Sequence, residues 1–189
     1  VFAMTAGVPM VFAAMLAVAI AGLVGLLLHR LAIEPAHSAS PVTLIIITIG
    51  ASILLRGIAA TIFGKDYHSL PPFWGSAPFV VGGATWLPQS LVVLLGVGLI
   101  LLLLWLFMRR TLPGKSMMAT AANRVAAQLT GINTSAVIGI AFIISAAIGA
   151  IGGILVTPIT LTSSDIGTML ALKGFAAAVL GGMGNPIGA

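Results

Sequence analysis

The chain has 189 residues, of which 60% are hydrophobic and 6% charged, with 8 basic and 3 acidic groups and a formal net charge of +5. A soluble domain carries about a quarter of its residues charged to wet its surface, so this composition excludes one and requires an integral membrane protein. The basic excess does not point to nucleic acid, because no basic cluster is interleaved with stacking aromatics, and the absence of cysteine excludes disulfides and thiolate metal sites.

A membrane-spanning helix needs about 20 apolar residues, each rising about 1.5 Å through a core about 30 Å thick. The first stretch that meets this is 8–28, which ends on His29-Arg30. It lacks the basic leader and small-residue cleavage site of a signal peptide, so it reads as a true span. The chain starts without Met and ends on GGMGNPIGA with no polar tail, so an internal piece of a longer protein is expected.

The second span is 41–63, bounded by Gly64-Lys65-Asp66. Within it, Thr48, Gly50 and Ser52 make a small polar patch, read first as close helix packing with hydroxyls bonded to the helix's own carbonyls. Arg56 lies inside the same apolar run, where a charge costs about 2.5 kcal/mol or more. Such a group is paired, snorkels or lines water. The segment 67–86, with Pro71-Pro72, Trp74 and Trp86, reads as a loop with interfacial aromatics.

The third span, 87–108, ends on Arg109-Arg110 and leads into a polar island, GKSMMATAANRVAAQLTGIN at 114–133. Met118, Ala122, Val125 and Leu129 recur at four, three and four residues, an apolar stripe that predicts one amphipathic helix over 117–130. Thr120, Arg124 and Gln128 form a polar stripe, Pro113-Gly114 separates the helix from the third span, Gly131 stops it, and Asn133 can cap the next one. The stripe offers no Trp or Phe to anchor in lipid, which favours docking in a protein groove over resting on headgroups. GKS at 114–116 is not a phosphate loop, since that motif needs glycine where Arg109 stands.

The fourth span is 134–156, where Ser145, Gly149 and Gly153 make a small-residue stripe for close helix packing, within the chain or against a partner subunit. A fifth apolar helix, 168–180, is short for a span and carries Lys173, which faces a cavity or snorkels. Thr48, Ser52, Arg56 and Lys173 are therefore the candidates for a translocation path. His29, His37 and His68 fall near membrane edges or in loops and read as solvated. With alternating spans, Arg30, Arg109, Arg110, Lys115 and Arg124 share one side and Lys65 the other, so 109–133 is expected to be cytoplasmic. The fold class expected is an all-α, polytopic membrane helical bundle, one domain over 1–189.

Three functions compete. A permease powered in trans fits the capped island and the acid-poor spans. An ion-coupled secondary transporter would place carboxylates inside spans, whereas Glu34, Asp66 and Asp165 lie in loops. An intramembrane serine hydrolase at Ser52, in the GASI of 50–53, lacks a histidine within any span to serve as base.

The stretch RRTLPGKSMMATAANRVAAQLTGIN, the run VTLIIITIGASILLRGIAATIFGKD and the ending LALKGFAAAVLGGMGNPIGA resemble the permease subunits of branched-chain amino-acid ABC importers. The resemblance implies that the island is the helix that docks on a separate ATP-binding subunit. Ala119, Asn123, Arg124, Ala126, Ala127, Leu129, Gly131, Ile132 and Asn133 match that pattern, with Ala122 on the same apolar stripe. Val125 departs from it, standing where the family often has an acidic residue. Also implied are a second, identical or homologous permease subunit, an extracytoplasmic solute-binding protein and a bacterial inner-membrane location. ATP would be used by the partner subunits, with no enzyme activity, cofactor or metal in this chain.

Overall fold

The computed structural model describes residues 9–36, 41–64, 66–67, 69–71, 79–81, 84–160, 162–163 and 166–182. In chain order its elements are α1 (Met10–Leu28), which runs on through one π-helical turn (His29–Ile33), then α2 (Pro41–Phe63) and the strands β1 (Phe79–Val81) and β2 (Ala84–Trp86). These are followed by α3 (Pro88–Arg110), α4 (Leu112–Ala122), α5 (Arg124–Leu129), α6 (Thr134–Val156) and α7 (Ile166–Gly181). Among the described residues, four helical stretches are long and apolar enough to cross a membrane: Met10–Ile33, Val42–Phe63, Pro88–Arg110 and Thr134–Val156. This is a multi-pass membrane protein, and its described residues are helical as expected apart from one short hairpin. Hydrocarbon offers no partner to a free N–H or C=O, so these apolar runs adopt the one local structure that satisfies its own backbone. Pro41 and Pro88 open α2 and α3, where the missing N–H costs nothing.

The hairpin corrects the reading of 67–86 as loop throughout. Phe79 pairs with Trp86, Val80 with Thr85 and Val81 with Ala84, in antiparallel register. The signal was present in FVVGGATW, where two glycines separate runs of β-branched and aromatic residues. Trp74, Lys65, His37, His68, Asp165 and the run from Met183 onward lie outside the described residues.

The chain divides into two compact units. In the first, Phe2–Leu54 with Leu103–Gly153, α1 packs on α6 by exchanging small for large side chains. Gly25 lies so close to α6 that a methyl group there would sit 2.7 Å from the Phe142 carbonyl oxygen and 2.9 Å from the Ala146 Cβ. Gly22 faces Ile143 of α6, and Gly139 of α6 faces the ring of His29. With no hydrophobic drive between helices in lipid, this close approach is what holds such a pair together. The second unit, Leu55–Leu102 with Ile154–Ala189, is tied by polar links. The buried Gln89 donates Nε2 to the Leu155 carbonyl at 3.0 Å, and Arg56 of α2 donates Nη1 to the Thr168 hydroxyl of α7 at 2.9 Å.

The face of α6 that meets α1 is not the small-residue stripe Ser145–Gly149–Gly153. Ser145, Gly149 and Gly153 are exposed, and a methyl group at either glycine would meet open space. The packing face of α6 runs instead through Gly139, Phe142, Ile143 and Ala146. It is set by where Gly22 and Gly25 allow α1 to approach, which small-residue spacing on α6 alone does not reveal.

Candidate functional site

The polar island forms two helices rather than the single one expected over 117–130. Asn123 has extended backbone angles (φ −156°, ψ 107°), so the helix ends there and restarts. Its side-chain oxygen accepts the Ala126 N–H at 3.0 Å, and its carbonyl accepts the Ala127 N–H at 3.0 Å. Asparagine competes poorly inside a helix and well at an N-cap, because its short amide reaches backbone donors two or three residues on. That local preference overrides the apolar periodicity that runs across it.

The first helix also begins earlier than the Pro113-Gly114 separator predicted. Thr111 is the cap: its hydroxyl accepts the Gly114 N–H at 3.1 Å and donates to the Phe107 carbonyl at 2.7 Å. Pro113 and Gly114 fall within the first turn of α4. Gly114 is buried against the backbone of Phe107 and Met108, and any Cβ would overlap the Phe107 carbonyl oxygen. At the other end, Gly131 adopts φ +83° and closes α5 as expected. The N–H of Gly131 bonds the Gln128 carbonyl and that of Ile132 the Ala127 carbonyl, each at 3.0 Å. This pair of bonds is a Schellman ending, which needs a left-handed residue that glycine adopts without strain. Asn133 then caps α6, accepting the Ala136 N–H at 3.1 Å.

The island therefore has an inner and an outer side. Ala127 is 4% exposed, while Val125 and Leu129, on the opposite face of α5, are 65% and 84% exposed. On α4, Met117 is buried while Met118, Ala119 and Ala122 are exposed. Ala126 is exposed as well. Arg124, Gln128, Gly131, Ile132 and Asn133 turn another way and line a cavity of about 1080 Å³. The rest of that cavity comes from the end of α1, from Leu44, Ile45 and Thr48 of α2, and from the start of α6.

Two side-chain bonds secure this arrangement. Gln128 donates Nε2 to the hydroxyl of Thr134, itself buried, at 2.9 Å. Ser135 donates Oγ to Glu34, just past the π turn, at 2.8 Å. His29 opens that turn and is buried rather than solvated as its sequence position suggested. Its ring lies 5.9 Å from that of Phe142 and covers Gly139. Glycine at 139 leaves the room, which a histidine beside an arginine at the end of a span does not disclose. The pairing of Glu34 with Ser135 was not legible in sequence, because it joins residues about a hundred positions apart.

The translocation-path candidates are divided between the two units, Thr48 and Ser52 in one and Arg56 and Lys173 in the other. Thr48 lines the cavity and bonds its own helix at the Ile45 carbonyl, 2.9 Å away, as expected of a hydroxyl in this patch. A methyl group at Gly50 would meet open space, and Ser52 is exposed. Arg56 reaches Thr168, and Lys173 is exposed on α7.

A family described as "Branched-chain amino acid transport system / permease component" matches residues 1–189. The high-affinity branched-chain amino acid transport system permease protein LivH of Escherichia coli (strain K12) is 32% identical over 179 residues, covering 92% of this chain and 58% of that protein. LivH of Salmonella typhimurium gives the same figures. BraD, the corresponding permease protein of Pseudomonas aeruginosa, is 28% identical over 171 residues, covering 87% of this chain and 55% of its own. The chain thus spans little more than half the length of the curated relatives it matches. No solved structure matches it. The chain belongs to the branched-chain amino acid transport permease family.

Proposed function

We propose that this member of the permease family forms part of the membrane path of an ATP-driven importer for branched-chain or related amino acids. Separate ATP-binding subunits dock on α4 and α5. The observation that carries this reading is the outer side of the island, where Met118, Val125 and Leu129 stand exposed on short, capped helices between two membrane-crossing ones. These residues present aliphatic knobs of the kind that fill a protein groove. Arg30, Arg109, Arg110, Lys115 and Arg124 all belong to the unit that holds the island, which favours a cytoplasmic position for it. The exposed small residues Ser145, Gly149 and Gly153 leave a surface for a second permease subunit, and an extracytoplasmic solute-binding protein would deliver the amino acid. The bacterial inner membrane is the location this assembly requires.

ATP-driven closure of the docked subunits would shift the permease between inward-open and outward-open states by binding one better than the other. The test is a single Leu129→Cys substitution in the full-length protein, made otherwise cysteine-free and co-expressed with candidate ATP-binding subunits. A cross-link whose yield changes with nucleotide is the expected result. A thiol that reacts only with lipid-borne or aqueous reagents, together with solute uptake in vesicles without ATP, would replace this reading with ion-coupled transport.

A further inference from the structure

The two docking helices continue into different membrane-crossing helices, α3 and α6, which are tied at the ends away from the island by the Gln89–Leu155 bond. Helix α4 is a bent continuation of α3: Thr111 N–H bonds the Phe107 carbonyl at 3.1 Å, Lys115 N–H bonds the Thr111 carbonyl at 3.1 Å, and Gly114 lies against Phe107 and Met108. Helix α5 is instead fastened to α6. The Schellman ending at Gly131, the Asn133 cap and the Gln128–Thr134 bond fix it to the first turn of that helix. Through Ser135–Glu34, the His29–Phe142 contact and the Gly25 crossing, α6 is in turn locked to α1. The cavity is lined by Arg124 and Gln128 of α5 and by Leu44, Ile45 and Thr48 of α2. The linker in the chain between α4 and α5 is one residue, Asn123, held out of helical geometry by its own cap.

We propose that Asn123 is a hinge between two levers, one formed by α4 with α3 and the other by α5 with α6 and α1, so that a docked ATP-binding subunit drives two helix groups by different amounts. Packed helix pairs move as rigid bodies about a few element-terminal residues that absorb the φ/ψ change, and Asn123 is such a residue. Asn123 and Gln128 are positioning residues in this scheme: neither touches solute, and each acts through the helices it joins. The inference deepens the docking reading and rests on it.

The experiment uses the full-length transporter with its ATP-binding subunits in lipid nanodiscs, spin-labelled at Met118→Cys and Leu129→Cys. The distance between the labels, one on each lever, should differ between the nucleotide-free and ATP-bound states. Asn123→Ala removes the cap and favours one continuous helix, so it should abolish that change. It should also lower the solute moved per ATP hydrolysed. Asn123→Asp keeps the acceptor and should restore both, while Gln128→Ala should uncouple transport as Asn123→Ala does. A label distance that does not change with nucleotide in the unsubstituted transporter overturns the hinge, as does an Asn123→Ala variant with unchanged transport per ATP. If neither Met118→Cys nor Leu129→Cys cross-links to an ATP-binding subunit, the docking reading itself fails. Cross-linking at both sites with an invariant distance sinks the hinge alone.

Discussion

Adding one methyl group at Gly25 tests the α1–α6 contact on which the lever scheme depends. The new Cβ would lie 2.7 Å from the Phe142 carbonyl oxygen and 2.9 Å from the Ala146 Cβ. Carbon and carbonyl oxygen approach no closer than about 3.3 Å in ordinary close contacts, so the helices must part by about 0.6 Å. The clashing oxygen belongs to backbone and has no rotamer to move into. Overpacking of this kind costs about 1–3 kcal/mol, against a gain of up to about 1 kcal/mol from replacing glycine by alanine inside a helix. Gly98 of α3 supplies the control, because a methyl group there meets open space and only the gain remains. The difference between Gly25→Ala and Gly98→Ala therefore isolates the overlap. At about 2 kcal/mol it corresponds to roughly 4–8 °C in Tm for a chain of this size. Thermal unfolding of the two purified variants in one detergent measures it. Equal Tm values, or a Gly25→Ala protein more stable than the unsubstituted one, would refute the close crossing and with it the coupling of α1 to α6.

Two further substitutions probe the ends of the helices. Gly131→Ala places a side chain at φ +83°, a left-handed conformation that costs an L-residue about 1–2 kcal/mol. Amide hydrogen exchange across 124–133 should accelerate while α1 is unaffected, and unchanged exchange would show that the turn relaxes without loss. Gln89→Leu leaves the Leu155 carbonyl without its side-chain donor at a buried position and should lower stability by about 0.6–1.7 kcal/mol, the range for such bonds in membrane proteins. A Tm equal to that of the unsubstituted protein would mean that water or another group takes over the bond.

Composition and local pattern were sufficient for the membrane-crossing helices. Runs of more than twenty apolar residues admit one backbone structure in hydrocarbon, so 41–63 and 134–156 were legible to the residue. The Gly131 stop and the Asn133 cap were legible for the same kind of reason, since each depends on a glycine conformation or a side chain reaching three residues along the chain. The break at Asn123 was written equally locally, but the apolar stripe across it carried the opposite message. Only the folded chain decides between a cap and a continuing helix.

Tertiary structure alone decided which faces meet. Ser145, Gly149 and Gly153 have the right spacing for a packing stripe, and yet α1 lies along Gly139, Phe142 and Ala146. A small residue permits close approach; it does not say which helix comes. His29 is buried because Gly139, more than a hundred residues away, leaves room for its ring, and Glu34 meets Ser135 across the same distance in sequence. A helix reads its neighbours three and four residues along by its own geometry, whereas contacts between helices depend on how distant segments are brought together, which no single window of sequence contains.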